Sequence, residues 1–177
     1  MAGLPHGNGI YRWNSGDIYE GDFEKGMKVG KGKLKMNNGN KYKGEFKNGQ
    51  FNGKGVYKWA DRSINHGDRY DGEWKNGQRN GKGTYKWANG DFFNVEWKDS
   101  IRNGRGIFIL KNANSYEGEF KDDKRDGRGI YSWTNGNIYD GLWKNDLREG
   151  EGIFKYANGR KTVCVFKQDK LISEKNI

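Results

Sequence analysis

At 177 residues, with 32% hydrophobic and 32% charged residues, the chain has too few aliphatics for a thick Leu/Ile/Val core, which excludes a three-layer α/β domain. An aromatic share of 15% argues against plain disorder, and 29 glycines beside one proline exclude collagen and proline-rich linkers. The formal net charge of +10 points to acidic partners, anionic membrane or nucleic acid, or only to keeping a thin sheet soluble.

The chain opens partway through a pattern, at Gly7-Asn-Gly9-Ile-Tyr11-Arg-Trp13. A full copy then begins with Tyr19-Glu-Gly-Asp-Phe23, and the same Tyr-x-Gly-x-aromatic run returns at Tyr42–Phe46, Tyr70–Trp74, Tyr116–Phe120 and Tyr139–Trp143. Phe93-Asn-Val-Glu-Trp97 is a degenerate copy. The period is 23 residues, except for the step from Tyr42 to Tyr70, which is lengthened within Asp61–Asp68. Each copy continues with Gly-x-Gly and a second aromatic or apolar pair: Leu34/Met36, Tyr57/Trp59, Tyr85/Trp87, Phe108/Leu110, Tyr131/Trp133 and Phe154/Tyr156. Asn-Gly-type turns close most copies. The series ends on Thr162-Val-Cys164-Val-Phe166, a first strand without its second half.

This divides the chain into a half repeat at 1–18, full repeats at 19–41, 42–69, 70–92, 93–115, 116–138 and 139–161, a half repeat at 162–170, and a C-terminal tail at 171–177. A self-similar period of this length marks an array of small units stacked on their neighbours. Two strands per repeat give about fourteen strands, or roughly 65 Å of sheet at about 4.8 Å each. The expected fold is all-β: an elongated single-layer antiparallel sheet of stacked hairpins, twisted or curved into a trough.

Residues two apart share a face of a strand. Tyr, Gly and Trp/Phe therefore line one face, and Glu, Asp, Lys and Arg line the other. In-strand glycines such as Gly44, Gly72, Gly118 and Gly141 leave holes in the ring face, where a ring from a neighbouring strand can lie over bare backbone. The charges read mainly as cross-strand pairs, with acids early in the first strands and Lys or Arg in the strands that face them. Val95, Ser100 and Ala113 replace glycines of the fourth repeat, so a change of twist is expected near Phe93–Asn114. Asp123 and Asp146 replace turn glycines and read as mild changes.

The motif Tyr-x-Gly-x-Trp/Phe-x-x-Gly-x-x-x-Gly-x-Gly at this period resembles the MORN repeat (membrane occupation and recognition nexus). The resemblance covers nearly the whole chain. It implies a single-layer solenoid of β-hairpins and a scaffold role, as in ciliary radial-spoke heads and other cytoskeletal assemblies, with protein binding, dimerisation and contact with acidic lipids among the implied activities.

No catalytic constellation accompanies the repeats. His6 and His66 read as turn residues, and Cys164 as a small filler in place of an in-strand glycine, so no metal, cofactor or nucleophile is expected. One cysteine allows no internal disulfide, and no signal peptide or membrane span is evident, so an intracellular, cytoplasmic setting is expected, with cytoskeleton or cilium implied by the resemblance. The leading reading of function is an aromatic groove that takes a peptide or helix from another protein. Its anchors are Tyr11, Trp13, Tyr57, Trp59, Tyr85, Trp87, Tyr131 and Trp133 from the second strands, with Tyr19, Phe23, Tyr42, Phe46, Tyr70, Trp74, Trp97, Tyr116, Phe120, Tyr139 and Trp143 from the first. Weak binding to acidic lipid is the alternative, and open sheet ends suggest end-to-end self-association. Nucleic acid is not expected, because acids line the same strands.

Overall fold

The computed structural model describes residues 3–60 and 67–177. His66 and most of the lengthened segment of the second repeat lie outside the described residues. The chain forms two compact units, Met1–Ala88 and Asn89–Ile177. The first holds β1 (Gly7–Arg12), β2 (Ile18–Glu24), β3 (Met27–Lys35), β4 (Lys41–Lys47), β5 (Gln50–Lys58), β6 (Arg69–Lys75) and β7 (Gln78–Lys86). The second holds β8 (Phe92–Lys98), β9 (Ile101–Ile109), β10 (Ser115–Lys121), β11 (Lys124–Ser132), β12 (Ile138–Lys144), β13 (Leu147–Lys155), β14 (Lys161–Lys167) and β15 (Lys170–Asn176). Within each unit every strand pairs antiparallel with the strands before and after it, making one open sheet. No helix occurs among the described residues.

The structure adds a strand to the sequence reading. Residues 171–177 were read as a tail, but Lys170–Asn176 forms β15 and pairs with β14. The hairpin turn that makes this possible is Gln168-Asp169, with φ of 50° and 64°. The same two-residue turn, positive at both positions, joins every first strand to its second, from Lys25-Gly26 to Asn145-Asp146. Positive φ at both central residues is the type I′ geometry that suits the strand twist.

The core is a repeated lock between one tyrosine and two glycines. Gly21 and Gly32 face each other across β2 and β3, and the Tyr19 ring lies over both. A Cβ added at Gly32 would stand 2.5 Å from the Tyr19 ring and hydroxyl. Tyr42, Tyr70, Tyr116 and Tyr139 cover Gly44/Gly55, Gly72/Gly83, Gly118/Gly129 and Gly141/Gly152 in the same way. The ring thus covers the glycine of its own strand as well as the neighbour's. Each hydroxyl donates to the carbonyl three residues on: Asp22 at 3.2 Å, Glu45 at 3.0 Å, Glu73 at 3.1 Å, Glu119 at 3.0 Å and Leu142 at 3.3 Å. These carbonyls stand where the ladder slips at a bulge just past the glycine pair. The tyrosine therefore fills the hole and supplies a donor at the break.

Two repeats lack the tyrosine, and both also lack the in-strand glycine. Phe93 has no hydroxyl to place over the bulge; it stacks on Phe108 at 4.0 Å, and Val95 fills the vacated space at 2% exposure. Thr162 and Cys164 replace the pair in β14, both buried, with their Oγ1 and Sγ 3.2 Å apart. Cys164 is a core filler, as its sequence position suggested. The fourth hairpin keeps its register, with Val95 facing Gly106, and Ser100 and Ala113 hold φ of 69° and 64°.

Neighbouring repeats are stapled at the loops as well. An Asp or Asn just before a first strand accepts the backbone N–H of a loop residue one repeat later. Examples are Asp17 from Asn37 at 2.8 Å, Asn40 from Ala60 at 2.8 Å, Asp68 from Ala88 at 3.0 Å and Asn137 from Ala157 at 3.0 Å.

Burial pushes the hydroxyls of Tyr19 and Tyr139 up to about 12, and those of Tyr42, Tyr70 and Tyr116 also upward. A raised folded value means the unfolded chain loses its phenolic protons first. Stability from these rings is full below about pH 10 and is lost as pH rises from there through the folded values. Circular dichroism should therefore show cooperative unfolding between about pH 10 and 12, with tyrosinate absorbance appearing in the same step. Tyrosine ionisation that ran ahead of unfolding would contradict the buried lock.

Candidate functional site

The structure sorts the nineteen ring residues read as a groove into a floor and a rim. Tyr19, Phe23, Tyr42, Phe46, Tyr70, Trp74, Tyr85, Trp97, Tyr116, Phe120, Tyr139 and Trp143 are buried, none above 7% exposed. They form the floor, consumed in packing. Trp74 and Trp143 are fixed further: each indole N–H donates at 3.0 Å, to the carbonyls of Gly55 and Gly129. Trp13, Tyr57, Trp59, Trp87, Tyr131 and Trp133 are half-buried, and Tyr11 is exposed. These second-strand rings are the ones a partner can reach.

The reachable rings belong to two ladders, the first of which runs through the buried Tyr85. In the first unit Tyr57 meets Trp59 at 4.5 Å, Trp59 meets Tyr85 at 5.2 Å and Tyr85 meets Trp87 at 4.7 Å. In the second, Tyr131 meets Trp133 at 4.6 Å, Trp133 stacks on Phe154 at 5.5 Å and Phe154 meets Tyr156 at 4.7 Å. Phe154 and Tyr156 belong to this surface, although the sequence reading of the groove omitted them. Their place in the second-strand pair was the available signal.

The first ladder is held by polar partners beneath it. The Tyr85 hydroxyl donates to Asp68 at 2.6 Å, and Asp68 is itself 5% exposed. Asn40 donates to the Tyr57 hydroxyl at 2.9 Å. Burial raises the pKa of both tyrosines; at Tyr85 the bond to Asp68 adds to it.

In each unit cations also line the ring face, at one position per repeat. Lys28 stands 5.2 Å from the Trp13 ring, Arg79 5.5 Å from Tyr85, Arg102 4.3 Å from Phe93, Arg125 4.2 Å from Trp143 and Arg148 4.1 Å from Phe166. Phe51 takes this position in its repeat and stacks on Tyr42 at 3.9 Å. Burial pushes the Lys28 ammonium pKa down, against a smaller opposing effect of Asp17. In the second unit each arginine is also clamped by the next hairpin turn. Arg102 Nε donates to Asp123 at 2.7 Å, Arg125 Nε to Asp146 at 3.1 Å and Arg148 Nε to Asp169 at 2.8 Å. The same carboxylates accept the arginine backbone N–H at 3.0, 2.9 and 2.9 Å. Asp123 and Asp146 are thus inter-repeat clamps, a larger role than the mild turn replacement the sequence suggested.

Chemically, this face offers ring faces, indole N–H groups and fixed positive charge. Among the described residues no cluster of His, Cys, Asp and Glu is placed to hold a metal ion.

Among solved structures, the TCP domain of Drosophila melanogaster SAS-4 (dCPAP), in complex with a proline-rich motif of Ana2 (dSTIL), is similar at 14% identity with a TM-score of 0.56, over 91% of this chain and 85% of that one. The Danio rerio CPAP TCP10 domain, in complex with a STIL peptide, aligns at 13% identity and a TM-score of 0.36, over 99% and 98%. The first likeness shows a shared fold. No curated protein sequence matches significantly. The MORN repeat profile matches residues 1–18, 19–41, 42–64, 70–92, 96–115, 116–138 and 139–159. With matches over most of its length, the chain belongs to the MORN-repeat family.

Proposed function

We propose that the protein is a non-catalytic scaffold that holds an extended, proline-rich segment of a partner protein on its ring face, as a subunit of a cytoskeletal or ciliary assembly. The observation that carries this reading is the pair of half-buried Tyr/Trp ladders. Tyr and Trp present large rigid surfaces at low entropic cost, and aromatic grooves are the common receptor for polyproline II segments. The spacing also fits. A polyproline II helix advances about 9.3 Å per three-residue turn. One repeat of the sheet advances two strands, or about 9.6 Å. A proline at every third position would therefore meet one ring pair per repeat. The proline-rich ligand of the SAS-4 TCP domain supports the choice of partner chemistry, and the family resemblance supports the setting.

The test uses a synthetic peptide with proline at every third position. In a titration followed by NMR, the indole N–H signals of Trp59, Trp87 and Trp133 should shift, while those of Trp74 and Trp143 stay. The double variant Trp59→Ala/Trp87→Ala should lose at least tenfold in affinity while its circular dichroism is kept. Undiminished binding by the folded variant would remove this surface as the receptor.

A further inference from the structure

The opposite face of the first unit carries a line of positive charge that the hairpin lock does not require. In this unit the acids sit on the first strands β2, β4 and β6, while β3, β5 and β7 carry bases alone. Across strands the register sorts them. Lys35 stands directly opposite Lys41, Lys41 opposite Lys58, Lys58 opposite Arg69, and Arg69 opposite Lys86. Directly opposed like charges destabilise a sheet. Among the described residues, only Arg69 of these five has an ion pair, with Asp71 at 2.6 Å.

The repeat does not demand this line. The equivalent positions of the second unit from β8 to β12 are Phe92, Ile109, Ser115, Ser132 and Ile138, all uncharged; the next two, on β13 and β14, are Lys155 and Lys161, and Lys155 is paired with Asp140 at 3.9 Å. Most of the net charge of +10 accordingly sits in the first 88 residues. The line also runs along a hollow of about 610 Å³, lined by Lys35, Lys41, Lys58 and Arg69 together with Ile18, Val56 and one acid, Glu20, which is already paired to Lys33 at 2.9 Å.

We propose that this hollow is a second docking surface, on the face away from the rings, and that it binds an extended acidic segment of a polypeptide. Charge complementarity sets the sign of the occupant. Five cations in a single file, about 5 Å apart, match a chain in extended form, about six residues long. Ile18 and Val56 give aliphatic parts of such a chain something to cover. The core rings lie on the other face, so bases would have no platform on which to stack. A flat bilayer would rest on the rim and leave the floor of the hollow untouched. The opposed charges are then a cost carried by the free protein and relieved when the acidic segment binds.

The test compares two triple variants of the full chain with equal net charge. One is Lys35→Glu/Lys41→Glu/Lys58→Glu. The other is Lys98→Glu/Lys121→Glu/Lys167→Glu, at the hairpin tips of the second unit. The probe is a fluorescent fifteen-residue poly-glutamate peptide, read by anisotropy at low and physiological salt. The parent and the tip variant should bind it, with affinity falling as salt rises, and the hollow variant should lose at least tenfold. Folding is checked in the same experiment: Lys41→Glu alone should raise Tm at low salt by about 2–4 °C, because it relieves two opposed pairs. Equal losses in both triple variants would reduce the effect to net charge and overturn the proposal. So would tighter binding of an oligothymidylate, or of vesicles containing phosphatidylserine, at the same salt. A fall in Tm for Lys41→Glu would contradict the opposed-charge argument.

Discussion

Gly152→Ala is expected to destabilise the second unit by about 3 kcal/mol or more. A Cβ there would stand 2.5 Å from Cε2 of Tyr139, and Tyr139 is fully buried. The ring cannot yield by a few tenths of an ångström, since its other side packs against Trp143 and Phe166, 5.5 and 5.4 Å away. Overpacking of this kind costs about 1–3 kcal/mol. Displacing the ring adds lost burial and the hydroxyl bond to Leu142, about 1 kcal/mol for the bond alone. Gly152 does not have a positive φ, so backbone strain contributes nothing to the effect. Urea titration of the intact chain measures it.

The chain itself supplies the compensating change. In β14 the ring and the glycine are replaced together by Thr162 and Cys164. Tyr139→Thr and Gly141→Cys should each be costly alone: the first empties a large pocket, and the second sets a side chain against the Tyr139 ring. The double variant should be more stable than the sum of the singles by at least about 1 kcal/mol. Strict additivity would mean that ring and glycine do not form one unit.

The period, the strand alternation and the ring face were legible because each is a local pattern repeated many times. The cation positions were legible too. Arg102, Arg125 and Arg148 lie an even number of residues before the Gly-x-Gly pair, which places them on the ring face, and the two-residue bulge preserves that parity. The strand after Asp169 had a signal as well, since Gln168-Asp169 repeats the form of Asn145-Asp146. Other features lay beyond any one-dimensional pattern. Whether a ring belongs to the floor or the rim depends on what packs over it from neighbouring strands, as the burial of Tyr85 beside the half-buried Tyr57 shows. The line from Lys35 to Lys86 exists only across strands, where loop lengths set the register; along the chain its members are separated by acids and rings.

Arg148→Ala should cost about 2 kcal/mol at neutral pH, and Arg148→Lys nearly as much. The guanidinium performs three tasks in one plane. It lies 4.1 Å from the Phe166 ring, donates through Nε to the Asp169 carboxylate at 2.8 Å, and reaches the Asp169 carbonyl through Nη2 at 3.5 Å. Its side chain is only 24% exposed. Cation–π contact and a charge-assisted hydrogen bond are each worth about 1–2 kcal/mol in such partly buried geometry. An ammonium keeps the charge but loses the fork and the planar stack. The acid limb of the stability curve gives an independent reading. Burial tends to raise the Asp169 carboxyl, but the hydrogen bonds and charge of Arg148 prevail and hold it below the usual range. A depressed folded value means that this contribution is full above the ordinary carboxylate pKa, about 4, and is lost as pH falls through the folded value. The stability gap between the parent and Arg148→Ala should therefore narrow steadily from pH 6 to pH 2.5. A gap that stayed constant would show that the arginine acts through ring contact alone and that the clamp to the next hairpin turn contributes nothing.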